Sequence, residues 1–120
     1  MTIERVKNTV YDLQTFVGDS GNINITNIPT DKTTYVIYIE IKGKQIIKKS
    51  INLNGADNCQ FFFSVEDTVA LGQGSWEYGI KICDSAADPV IENTYIPDLR
   101  IGNRAMFYVY PERVEGIINE

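Results

Sequence analysis

Tyr35-Val36-Ile37-Tyr38-Ile39-Glu40-Ile41-Lys42 is the stretch on which the fold class turns. It is built from β-branched and aromatic residues, and strict alternation puts Tyr35, Ile37, Ile39 and Ile41 on one face against Val36, Tyr38, Glu40 and Lys42 on the other. A half-buried strand follows. Gly43-Lys44 comes next, and Gln45 to Leu53 alternates again, with Ile47, Ile51 and Leu53 opposed to Lys48, Ser50 and Asn52. Two alternating runs around a glycine predict a β-hairpin with its turn near Gly43.

Working outward, the turn formers Asn54-Gly55-Ala56-Asp57-Asn58 precede a third strand. There Cys59, Phe61, Phe63 and Val65 share a face opposed by Gln60, Phe62 and Ser64. Ser75 to Asp84 forms a fourth, with Trp76, Tyr78, Ile80 and Ile82 inward and Ser75, Glu77, Gly79 and Lys81 outward. Val65 to Leu71 is the one helical candidate, opened by Glu66 and Asp67, closed by Gly72, and expected to give one turn at most. Upstream, Thr9 to Val17 and Asn22 to Ile28 flank Gly18-Asp19-Ser20-Gly21 and predict a half-polar hairpin at an edge. Downstream, after the Ser85 to Pro89 loop, Val90 to Ile96 predicts a strand that Pro97-Asp98 breaks. Leu99 to Tyr110 predicts another, interrupted near Gly102-Asn103 and stopped by Pro111. Seven or eight strands at spacings near ten residues predict an all-β antiparallel β-sandwich or small barrel as one domain over 1–120. Its core is expected at Ile37, Ile39, Phe61, Phe63, Trp76, Tyr78, Ile80 and Phe107.

Composition narrows the chemistry. The chain has 120 residues, 43% apolar and 22% charged, enough for one hydrophobic core without metals or disulfides. Sixteen acidic against eleven basic residues give a net charge of −5, which argues against nucleic acid as a partner because phosphate neutralisation dominates that affinity. No apolar run approaches the ~20 residues of a membrane helix, and the opening MTIERVKN has no apolar signal core, so synthesis in a cytoplasm without membrane contact is expected. Histidine is absent, which removes the commonest general base and metal ligand. No nucleotide-binding glycine pattern, nucleophile elbow or calcium loop is present. No catalytic residue, metal or cofactor is expected.

Several residue groups carry both a bland and a functional reading. Cys59 and Cys83 have no CxxC partner, and alternation sends Cys59 inward and Cys83 outward with Glu77 and Lys81, so free thiols are expected. Asp12, Asp19, Asp31, Asp57, Glu66, Asp67, Asp84 and Asp88 fall mostly in loops, where carboxylates cap turns; the sharper reading is an inter-loop calcium site. Lys42, Lys44, Lys48 and Lys49 surround one hairpin tip, and a solvated, aggregation-resistant surface is the expected role. Near the C-terminus Phe107 and Val109 take one face while Met106, Tyr108 and Tyr110 take the other. If that second face is open, it is an apolar and aromatic stripe of the kind found in protein interfaces. Met106, Tyr108 and Tyr110, helped by the edge residues Val10 to Val17, are the candidate contact surface.

The stretch Thr68 to Ile82 carries a resemblance: Thr68, two residues, Leu71, then Gly74, Trp76, Tyr78 and an apolar strand. It resembles a segment of small immunoglobulin-like modules in phage tail and baseplate proteins. Gln14-Thr15-Phe16-Val17-Gly18-Asp19 before a polar strand is similar to their early segment, and Pro97 to Val109 to their late apolar strand. The resemblance implies an immunoglobulin-like fold and a virion structural role without catalysis, through self-association and contact with other virion proteins. The protein would then reside in the virion after synthesis in the host cytoplasm. A second reading is a carbohydrate-binding or adhesion module that stacks sugars on Trp76, Tyr35 or Tyr38.

Overall fold

The computed structural model describes residues 3–7, 9, 11–86, 91–96 and 105–111, with the backbone alone for 91–96. The chain is mostly β, with one short helix. In order it forms β1 (Glu4–Arg5), β2 (Leu13–Phe16), β3 (Gly21–Ile25), β4 (Tyr35–Lys42), β5 (Ile46–Asn52) and β6 (Cys59–Phe63). Helix α1 (Val65–Leu71), β7 (Gly74–Asp84), β8 (Ile91–Ile96) and β9 (Met106–Tyr110) follow. The larger sheet runs β1-β2-β9-β7-β4-β5, with β8 beside β7, and the smaller sheet is β3-β6. The arrangement is sandwich-like.

The hairpin read from sequence is present as β4 and β5, with Lys42 opposite Ile46 across the Gly43 turn. Ile37, Ile39 and Ile41 are fully buried, as are Phe63 and Phe107, while Phe61, Ile80 and Tyr78 lie within the same core. Trp76 was expected among them, but it is only half-buried and packs at the margin, where its indole N–H donates to the Gly72 carbonyl at 2.9 Å.

The N-terminal expectation is corrected. Thr9 to Val17 and Asn22 to Ile28 do not form a hairpin: β2 runs parallel to β9, and β3 crosses to the smaller sheet and pairs with β6. The physical reason lies in burial, since Ile23 and Ile25 fit the core against Phe61 while Thr15 is buried beside Val109. β2 is therefore flanked by β1 and β9 and is not an edge. Val10, Asp88 and the Pro97 to Asn103 interruption lie outside the described residues.

Helix α1 is longer than the single turn expected, and Val65 belongs to it and is 45% exposed rather than facing inward on β6. A capping box explains the start: the Ser64 hydroxyl accepts the Asp67 amide at 3.2 Å, and the Asp67 carboxylate accepts the Ser64 amide at 2.9 Å. Its end is closed from outside, since the Lys44 and Gln45 amides of the hairpin tip donate to the Leu71 and Ala70 carbonyls. Gly43 permits this approach: a Cβ there would lie 2.9 Å from the Leu71 backbone. Gly72, at φ 75°, then turns the chain into β7.

Candidate functional site

β9 presents two faces, as alternation requires. Phe107 and Val109 are buried in the core, Met106 and Tyr108 are half-buried on the outer face, and Tyr110 is exposed. Cross-strand register sets their neighbours. Tyr108 lies between Gln14 of β2 and Ser75 of β7, Tyr110 lies opposite Phe16, and Met106 lies opposite Glu77. The Phe16 and Tyr110 rings stand 5.7 Å apart between centroids, tilted by 49°. Phe16, Tyr110, Tyr108 and Met106 thus form one stripe on the outer face of the larger sheet.

The stripe is held from its borders. The Val17 amide donates to the Tyr110 carbonyl at 2.9 Å, which continues the β2–β9 ladder by one residue. The Asp12 carboxylate accepts the Met106 amide at 3.0 Å. The Tyr78 hydroxyl donates to the Tyr11 carbonyl; burial first, then the nearby Asp12 charge, pushes the phenol well above its ordinary pKa, so it stays a donor. Of the candidate contact residues, Met106, Tyr108 and Tyr110 run along the outer side of β9 from one end to the other, while Val17 meets Tyr110 through its amide and packs its side chain against the core. Val10 lies outside the described residues. Phe16 lies within the Val10 to Val17 segment expected to help, and the parallel register of β2 and β9 is what brings it to Tyr110. Rings, a thioether and an amide suit contact with another surface.

The other candidate groups disperse. Tyr35 and Trp76 pack against the core from the inner face, Tyr38 is on the outer face, and the Tyr35 hydroxyl donates to Asp31 at 3.1 Å. These rings make no common stacking platform. The loop carboxylates serve local structure. Asp57 accepts from Asn58, Asp67 caps α1, and Asp84 accepts from the Thr34 hydroxyl at 2.6 Å, Lys32 at 3.0 Å and the Ala86 amide at 3.1 Å. The Thr34 hydrogen bond and then Lys32 hold the Asp84 carboxyl below the usual carboxylate range. Among the described residues no three Cys, Asp or Glu side chains are grouped to hold a metal.

Of the basic run, Lys42, Lys44 and Lys48 are exposed, and Lys49 pairs with Asp67 at 3.0 Å. Cys59 and Cys83 are free thiols. Cys83 is 4% exposed, not solvent-facing as its strand neighbours Glu77 and Lys81 suggested. Comparison with protein-family models, curated proteins and solved structures gave no match.

Proposed function

We propose that this chain is a non-catalytic assembly module with an immunoglobulin-like sandwich, serving as a structural protein of a phage or prophage virion in its tail, baseplate or head. The immunoglobulin-like reading is supported by strand order. Strands β4, β7 and β9 lie side by side as C, F and G do in that fold, opposed by β3 and β6 in the places of B and E. The virion role rests on the resemblance carried by Gln14 to Asp19 and Thr68 to Ile82.

One observation carries the assembly reading: the Phe16, Tyr110, Tyr108 and Met106 stripe lies on the outer face of the larger sheet, away from the core. Aromatic side chains there supply large contact area at small entropic cost. The test is self-association and particle binding. The wild-type chain is expected to exceed its 13.6 kDa monomer mass by light scattering and to co-sediment with purified phage or tail particles. A Tyr108→Ser, Tyr110→Ser pair should return it to the monomer mass. A wild-type chain that stays monomeric at high concentration and joins no particle overturns the proposal.

A further inference from the structure

The smaller sheet turns its second face to solvent. Alternation buries Ile23, Ile25, Phe61 and Phe63 in the core and sends Asn22 and Asn24 of β3 and Gln60 and Phe62 of β6 outward. The antiparallel register sets Asn22 opposite Phe62 and Asn24 opposite Gln60, so the four side chains form two rows about 7 Å apart along the strands. Phe62 is 55% exposed, Asn24 and Gln60 are exposed, and Asn22 is half-buried. Within the described residues no side-chain hydrogen bond occupies the amides of Asn22, Asn24 or Gln60. Charge is missing from this face: residues 20–26 and 58–64 contain no Asp, Glu, Lys or Arg, in a chain that is 22% charged.

We propose that this face binds an uncharged oligosaccharide of all-equatorial sugars, with Phe62 as the stacking ring and Asn22, Asn24 and Gln60 as partners of the sugar hydroxyls. The negative face of the ring attracts the C–H bonds that such a sugar presents on both of its flat sides. Each carboxamide holds a donor and an acceptor side by side, which matches neighbouring hydroxyls that both give and accept. The missing charge selects against other occupants. Nucleic acid and anionic membranes need lysine or arginine to neutralise phosphate, and an acidic saccharide would lose water from its carboxylates without gaining a cation. A stable protein partner needs a broad apolar centre, which one ring among three amides does not supply. The site lies on the other sheet from the Tyr108 and Tyr110 stripe and does not rest on the assembly proposal. It is also distinct from Trp76, Tyr35 and Tyr38, which belong to the larger sheet.

Cellotetraose, a flat chain of β-linked all-equatorial glucose, is titrated into the isotope-labelled full chain and followed by NMR. An open site of one ring and three amides should bind it weakly, with a Kd on the order of 1 mM. The side-chain amide signals of Asn22, Asn24 and Gln60 and the backbone amides of 60–62 should shift, and saturation of the Phe62 ring protons should pass to the sugar C–H protons. Phe62→Leu, which keeps an apolar side chain without a ring, should weaken binding by about 5-fold or more, whereas Phe62→Tyr should retain it. Both variants should keep the wild-type melting temperature within a few degrees, because Phe62 is exposed. The tetramer of β-1,4-linked glucuronic acid, the same shape with a carboxylate on each unit, should bind about 10-fold more weakly. The Tyr108→Ser, Tyr110→Ser variant should bind cellotetraose unchanged.

The inference is overturned if cellotetraose well above millimolar concentration moves none of these signals, if the shifts map to Trp76, Tyr35 or Tyr38 instead, or if Phe62→Leu binds as tightly as the wild type. It is also overturned if the glucuronic acid tetramer binds equally well, or if the signals of Asn22, Asn24, Gln60 and Phe62 shift with protein concentration alone, which would make the occupant a second copy.

Discussion

At the scale of single residues, the core is governed by a few fully buried rings. Phe63 is 0% exposed and packs 6.3 Å from Phe107 between centroids, so Phe63→Ala leaves a cavity and should cost about 3–5 kcal/mol in denaturant unfolding. Thr15 gives the opposite case. Its hydroxyl is buried 1% exposed with no hydrogen-bond partner among the described residues, a desolvation cost of about 1–3 kcal/mol that a methyl group does not incur. Thr15→Val should hold or raise the unfolding midpoint, and a clear fall in calorimetry would show that the hydroxyl has a role. The thiols form a third case. Burial pushes the Cys59 thiol up, and Cys83 is inaccessible, so alkylation of the native protein should be slow at neutral pH. In denaturant without reductant two labels should add; a chain two mass units light that takes none contains a disulfide.

At the scale of elements, helix α1 is too short to persist alone and is held at both ends by its surroundings. Ser64 and Asp67 close its start and the hairpin tip closes its finish, while the Thr68 hydroxyl, inside the fold, donates to the Asp19 carbonyl at 2.8 Å. Ser64→Ala should cost about 1 kcal/mol. Partial burial tends to raise the Asp67 carboxyl, but the Ser64 amide and the Lys49 ammonium outweigh it and leave it below its ordinary value. A carboxyl lowered in the folded state adds stability above its unfolded pKa of about 3.9 and loses that contribution as pH falls through the lower folded value. Acid should therefore destabilise the protein below about pH 4, and Asp67→Asn should flatten part of that loss in a pH series of thermal melts. The Asp84 carboxyl, lowered in the same direction, should account for a further part. An unchanged pH profile in Asp67→Asn would remove the cap from this account.

At the scale of the whole molecule, the larger sheet carries the proposed contact surface, the aromatic stripe on its outer face. Its strand edges differ in protection. The exposed edge strand β5 carries Lys48 and Lys49, charges that discourage edge-to-edge pairing, whereas β6 carries none. A charge placed on that edge by Gln60→Lys should leave the melting temperature within a few degrees, because Gln60 is exposed. A large loss of stability would mean that the edge is covered within the monomer.

The all-β character, the β4–β5 hairpin and the inward faces of β4, β6 and β7 were legible because each depends on local alternation and turn chemistry within one segment. Burial at the margins was not: Trp76 and Cys83 follow the parity of their strands but not the exposure that parity suggested, because cover depends on what packs above them. The destination of β2 was hidden as well. A half-polar run beside Gly18 to Gly21 satisfies hairpin rules, and only the competition for core space sends β3 to β6 and leaves β2 parallel to β9. Met106, Tyr108 and Tyr110 were visible as a stripe from their spacing, but Phe16 joined them through a register spanning most of the chain. Local pattern thus determined which segments are strands and which side of each is apolar. Tertiary packing alone decided partners, register and where the cover ends, because these depend on surfaces brought together from distant parts of the sequence.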